Sequence, residues 1–282
     1  MEKQPFIRKA GVAGMFYPSD PSGIIRLLEA ALDEEKENIR DPDYGKKIIG
    51  AVLPHAGMVY CARQTVHFFA NYIRQEKAVN GDLTVVIVHP NHAGYGPELS
   101  TDGHDFWETP LGRVSVDSEF TLTDIPLSEG AQKGEHSAEV ILPYLQYFLK
   151  DGFRIVSINM LGQDQVNARF VAEKVFEAEK RTGRRVLLIA SSDFSHFLSP
   201  EEGRELDDLV LQRILNKEPK AVYDIVKKHN ISVCGYGPVM ALMEYASMLP
   251  GHYKVHLLNR GHSGEVSPSK RVVNYNSLLF EI

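Results

Sequence analysis

The chain of 282 residues is 43% hydrophobic and 24% charged, an ordinary globular composition with length enough for a substantial core. Its net charge of -6, with acidic and basic residues interspersed, gives no electrostatic case for binding nucleic acid or an anionic membrane. Two cysteines, Cys61 and Cys234, argue against a disulfide framework. No signal core follows Met1 and no run reaches the roughly 20 apolar residues of a membrane span, so a cytoplasmic protein is expected.

In chain order, Gly11 to Pro18 is a glycine-rich, aromatic loop, and Ser19-Asp20-Pro21 starts a helix with Ile24, Leu27, Leu28, Ala31 and Leu32 as its apolar stripe. Glu34 to Gly45 reads as a loop. A buried strand from Ile48 to Leu53 runs into Pro54-His55-Ala56-Gly57 and then a helix through about Ile73, with Val66, Phe69, Ala70 and Ile73 inward. A second strand, Leu83 to Val88, runs into His89-Pro90-Asn91-His92-Ala93-Gly94. Phe106 to Val116 reads as a hairpin or excursion. Glu135-His136-Ser137 opens a helix through Leu149, in which Pro143 bends the helix or marks its true start.

The next strand is Arg154 to Met160, followed by an amphipathic helix from Val166 to Arg181 that ends at Thr182-Gly183. Arg185 to Ala190 is the fourth strand, and it bursts into Ser191-Ser192-Asp193-Phe194-Ser195-His196-Phe197. Residues 201–229 read as two helices broken at Pro219, and Cys234-Gly235-Tyr236-Gly237-Pro238 precedes a helix from Val239 to Met248. Tyr253 to Asn259 and Val272 to Phe280 are late strands around a polar loop, Arg260 to Lys270. Strands alternating with helices predict an α/β fold, a mainly parallel central sheet with helices on both faces. No linker divides residues 1–282, so a single domain is expected.

Ligands in open α/β sheets bind beyond the carboxyl ends of the strands. Three strands here end in polar clusters with histidine, which points to one pocket. His55 and His92 stand at matched strand ends, each followed by Ala-Gly, and neutral imidazole is the commonest metal ligand. Asp193 can orient a histidine or sit behind a metal ligand, and His196 can act as general acid or base. Cys234, in a tight loop at a helix start, is placed where a thiol pKa falls and thiolate is favoured, so it is a third ligand or a nucleophile. Glu135 and His136 offer a further acid/base pair, and Cys61 reads as structural.

The ordered set Gly14-Met15-Phe16-Tyr17-Pro18, Pro54-His55-Ala56-Gly57 with Tyr60-Cys61, Pro90-Asn91-His92, Glu135-His136-Ser137, Ser191 to His196 and Cys234-Gly235 resembles the Memo family over nearly the whole chain. That resemblance implies a single Memo-like domain over 1–282, similar in fold to class III non-haem iron extradiol dioxygenases. It implies metal ligands at His55, His92 and Cys234, and catalytic roles for Asp193, His196 and Cys234. It also implies a substrate pocket at Phe16, Tyr60, Glu135 and His136. Fe(II) is the expected metal, with copper and zinc as alternatives and a metal-free purified state allowed for. Cys234 stands where the dioxygenase relatives carry a carboxylate, a departure from the ring-cleaving pattern.

The function these features imply is metal-dependent redox chemistry on an unidentified small molecule or peptide. Animal members resemble signalling adaptors that bind phosphotyrosine peptides, which makes a peptide-binding module the alternative. Phe16, where animal members have Trp, and Met58-Val59 between Gly57 and Tyr60 make that role the less transferable one. Metal-assisted hydrolysis with zinc, using His196 as base, is the weaker alternative. Microbial relatives imply AMMECR-type and radical S-adenosylmethionine proteins as partners.

Overall fold

The computed structural model describes residues 4–40, 47–75 and 82–282. Its strands are β1 (Ile7–Arg8), β2 (Ile48–Leu53), β3 (Leu83–Pro90), β4 (Leu99–Thr101), β5 (Phe106–Thr109), β6 (Gly112–Ser115), β7 (Phe153–Met160), β8 (Arg185–Ser191), β9 (His196–Leu198), β10 (Lys254–His262) and β11 (Val272–Glu281). Its helices are α1 (Pro21–Glu35), α2 (Met58–Gln75), α3 (Glu129–Gln132), α4 (Leu142–Leu149), α5 (Gln165–Thr182), α6 (Pro200–Leu215), α7 (Pro219–His229) and α8 (Tyr236–Met248).

The main sheet has the order β10-β11-β2-β8-β3-β7-β4, with β9 added to β11. Its centre, β2-β8-β3-β7, is parallel. Both flanks are antiparallel: β4 pairs with β7 on one side, and β11 with β2 and β10 with β11 on the other. β1, β5 and β6 form a separate three-stranded sheet in which β5 and β6 are the expected hairpin.

The central strands read as unbroken apolar runs because both faces are covered. Alternation still sorts their side chains. Val86, Val88, Leu188 and Ala190 pack with α5, α6, α7 and α8, whereas Val85, Ile87, Leu187 and Ile189 pack with α1, α2 and α4. Gly50, in the middle of β2, is set by this packing. A Cβ there would lie 2.5 Å from both the Leu188 carbonyl oxygen and Leu242 Cδ1, so α8 lies against the sheet only where no side chain intervenes.

Local signals decide most boundaries. Asp20 caps α1 by accepting from the Gly23 amide. Gly183 closes α5 in the left-handed region at φ 66°. Ser199 and Glu202 form a reciprocal capping box on α6. Pro143 marks a true start: Glu139–Ile141 is a 3-10 turn and α4 begins at Leu142, so Glu135 to Ala138 are loop.

Some expectations shift. Glu34 and Glu35 belong to the last turn of α1, and residues 41–45 of the loop expected there lie outside the described residues. Ile73 is 39% exposed rather than inward. β10 runs on to His262 because β11 supplies pairing partners as far as Asn274, and the loop proper starts only after it. No helix among the described residues is long and apolar enough to cross a membrane.

His89 is fully buried near the end of β3, with its ring nitrogens on the Ser137 and Ser157 hydroxyls at 3.0 and 2.9 Å. Burial pushes its pKa down from 6.5 to about 4. An unfolded histidine binds a proton in that window while the folded one does not, so its contribution is full above pH 6.5 and is lost as the pH falls toward 4. The loss amounts to on the order of 3 kcal/mol. Urea unfolding at stepped pH should therefore show a shallower loss of stability between pH 6.5 and 4 for His89→Gln than for the parent chain. Equal slopes would show that His89 does not titrate on unfolding.

Candidate metal centre

The carboxyl ends of β2, β8 and β3, adjacent in the sheet, deliver His55, Asp193 and His92 to one edge, and the loop before α8 brings Cys234 to them. One ligand atom each from His55, His92 and Cys234 lies within 4.8 Å of the others. The closest approach is 3.1 Å between Cys234 Sγ and His55 Nε2. His55 is buried, Cys234 is partly buried and the His92 side chain is 36% exposed, so the cluster opens to solvent on the His92 side.

The hydrogen bonds behind the rings decide which nitrogen faces the cluster. Ser191 Oγ donates its one proton to the Ser137 carbonyl oxygen at 2.6 Å. Toward His55 Nδ1, at 2.8 Å, it must accept, so Nδ1 carries the proton and Nε2 presents a lone pair. Glu135 fixes the His92 ring: its Oε1 accepts from Nδ1–H at 2.9 Å, and its Oε2 accepts the His92 amide at 2.7 Å. The same carboxylate accepts from the Ser137 amide and hydroxyl at 3.0 and 2.7 Å.

Burial opposes ionisation of Glu135, but the His92 hydrogen bond, the neighbouring histidine charges and the Ser137 hydroxyl outweigh it and hold the carboxyl well below its usual range. Burial first, then His92 and His136, holds His55 well below 6.5 and so neutral, the state in which imidazole is a ligand.

Cys234 differs from its sequence expectation. Burial and the Asp193 carboxylate raise its thiol pKa well above 9.0, outweighing the helix start that pointed to a thiolate. Its Sγ accepts the Asp193 amide at 3.1 Å, which ties the loop to the end of β8. Gly235 makes that approach possible, since a Cβ at 235 would lie 2.2 Å from the Ser191 carbonyl oxygen.

Asp193 acts on the turn that carries His55 rather than on an imidazole. Its Oδ1 accepts the amides of His55 and Ala56 at 2.9 and 3.3 Å, and burial pushes its carboxyl up to about 6. His196 stands at the start of β9, with Nδ1 2.8 Å from the Ser232 carbonyl oxygen and no partner for Nε2 among the described residues.

His136 stacks on His92 at 4.7 Å and on Phe16 at 4.4 Å, forming one wall, and burial lowers its pKa to about 4. Tyr60 is 37% exposed in the first turn of α2, with its ring against Gly57. Glu135, expected in the substrate pocket, is 2% exposed and sits behind His92 as its support.

Sequence reasoning assigned no role to Ser137 and Ser191, which transmit orientation between the two imidazoles. Their signal is a hydroxyl at the polar end of an apolar strand, and beside the preceding glutamate, with a carbonyl in reach. Cys61 is buried with Sγ 3.4 Å from the Ala56 carbonyl oxygen, in keeping with a structural role.

The geometry defines an α/β protein with a His/His/Cys group of metal-ligand type at the carboxyl edge of its sheet. The chain belongs to the Memo-like protein family, which matches residues 8–279. It is 37% identical over 281 residues to a MEMO1 family protein of Archaeoglobus fulgidus, covering 98% of this chain and 100% of that one. It is 36% identical over 280 residues to the MEMO1 family protein Mbar_A1422 of Methanosarcina barkeri, covering 98% and 100%. Among solved structures, the uncharacterized protein JW3007 of Escherichia coli K12 matches with a TM-score of 0.48 at 10% identity, over 83% of this chain and 99% of that one.

Long-range nitrogen–proton NMR should find His55 as the Nδ1–H tautomer and a proton on Nδ1 of His92. An Nε2–H tautomer of His55, or a bare Nδ1 on His92, would contradict the network described. Glu135→Ala should destabilise the chain by on the order of 3 kcal/mol in urea, because buried donors lose their acceptor.

Proposed function

We propose that His55, His92 and Cys234 hold a transition-metal ion, iron(II) foremost with copper or zinc as alternatives, for redox chemistry on a small molecule reached from the His92 side. The observation that carries this reading is the pair of imidazoles whose Nδ1 atoms are already engaged by Ser191 and Glu135, beside a sulfur atom. Two nitrogens and a sulfur suit a first-row transition metal rather than magnesium or calcium. Such an ion, when bound, supplies an electron-transfer centre and a Lewis acid.

The chain's own residues do the rest. Ser191 and Glu135 hold the two rings by their Nδ1 atoms and leave the Nε2 edges for the ion, and the Asp193 amide stabilises charge on the Cys234 sulfur. His196, with Nε2 free of a partner among the described residues, moves a proton at the pocket edge. Phe16 and His136, their rings tilted by 31°, form a wall against which an apolar group packs. Free Cys61 and Cys234 suit a reducing compartment, and we place the chain in the cytoplasm.

Anaerobic metal analysis of freshly purified protein tests the reading. Near-stoichiometric iron or copper is expected, lost in Cys234→Ser and His92→Ala while circular dichroism is unchanged. Retention at full stoichiometry in both variants overturns the ligand assignment. A parent chain that takes up none of Fe(II), Cu(I) or Zn(II) overturns the metal reading altogether and leaves the pocket to peptide binding.

A further inference from the structure

We propose that the antiparallel flank of the sheet carries a second binding site, apart from the metal centre, for a small zwitterion that contains an amide, a dipeptide being the simplest member of that class. A cavity of about 330 Å³ lies among the first turns of α6, the end of β10 and the start of β11, and its lining includes none of His55, His92 and Cys234. That volume is at the lower end for small-molecule sites and accommodates a dipeptide.

Three features select the occupant. The first is Asn276 on β11, which lines the cavity and is only 1% exposed, yet neither its Oδ1 nor its Nδ2 has a partner among the described residues. A buried carboxamide open at both ends is costly unless something both donates to it and accepts from it. A peptide amide offers one N–H and one C=O and meets both needs. Asn274 Oδ1, also in the lining, is a further acceptor without a partner among the described residues.

The second feature is Arg204. The other arginine in the lining, Arg260, is committed to Asp208 at 2.6 Å. Arg204 is exposed on α6 and has no ion-pair partner among the described residues, so its guanidinium is available for the two oxygens of a carboxylate. The third is negative charge on the same lining. Glu201, one turn before Arg204, and Glu265, beside the end of β10, can face an ammonium group.

A monosaccharide would use the open amides and leave Arg204 and Glu201 unanswered. An inorganic anion would use Arg204 and leave Asn276 open. A dipeptide, with carboxylate, amide and ammonium, answers all three.

The test is calorimetric titration of the full chain with L-alanyl-L-alanine. Saturable binding at one site is expected, weakened at least about tenfold when the probe's carboxylate is amidated or its amine acetylated. Arg204→Ala, a surface substitution with little risk to folding, should weaken it to the same degree. Asn276→Asp, which keeps the shape and removes the donor, should weaken it as well, and Asn276→Leu is the alternative if the added charge prevents folding. Absence of saturable binding up to about 10 mM probe overturns the proposal. So does undiminished binding by Arg204→Ala, or binding abolished by His92→Ala, which would place the peptide at the metal centre.

Discussion

A single hydrogen-bonded line orients the whole centre: Glu135 to Ser137, Ser137 to Ser191, Ser191 to His55, with the His92 ring held by the same Glu135 oxygen that accepts the Ser137 hydroxyl. Each member has few choices. A serine hydroxyl has one proton, a carbonyl only accepts, and a buried carboxylate needs donors, so the direction of each bond is fixed by the groups it joins. The two imidazoles therefore present the same nitrogen although they come from strands separated by β8. Supporting bonds of this type set ligand orientation and basicity as strongly as the ligand identity does.

A second buried carboxylate holds the wall of the pocket. Glu139, fully buried, accepts from the amides of Gly11 and Val12, from the Tyr17 hydroxyl and from the Arg8 guanidinium. The glycine-rich opening segment is thereby fastened over the sheet edge, and the Phe16 carbonyl oxygen accepts the Met58 amide at the start of α2. With the chain fixed on both sides, the Phe16 ring is carried against His136. Such burial of charge is tolerable because each acceptor is fully supplied with donors.

Much of this was legible from residues alone. Strand ends that break into His and Asp identified the edge of the sheet, and apolar runs without polar alternation announced strands covered on both faces. The order of those strands was not legible. β8 inserts between β2 and β3 only through long-range pairing, and nothing local in Arg185 to Ser191 specifies its neighbours. The antiparallel flank was hidden for the same reason, since β10 and β11 look like any late strands until their registers are known.

The state of Cys234 was misread because a helix start is a local cue, whereas burial and the Asp193 charge are supplied by segments distant in sequence. Glu135 was placed in the pocket because its neighbours are there. Only the fold shows that its side chain turns back beneath His92. Ile73 follows the helical stripe of α2, yet it lies near the end of the helix and stays 39% exposed.

The contact between His55 and Cys234 spans 179 positions of sequence. During synthesis, both histidines leave the ribosome long before the sulfur does, and β2 waits for β11 before its outer edge is paired. The centre therefore depends on a non-local closure of the sheet, the kind of pairing that folds slowly. A partly made chain holds only scattered imidazoles, and the cluster is complete only in the finished protein. Biosynthetic timing is in this way written into the strand order.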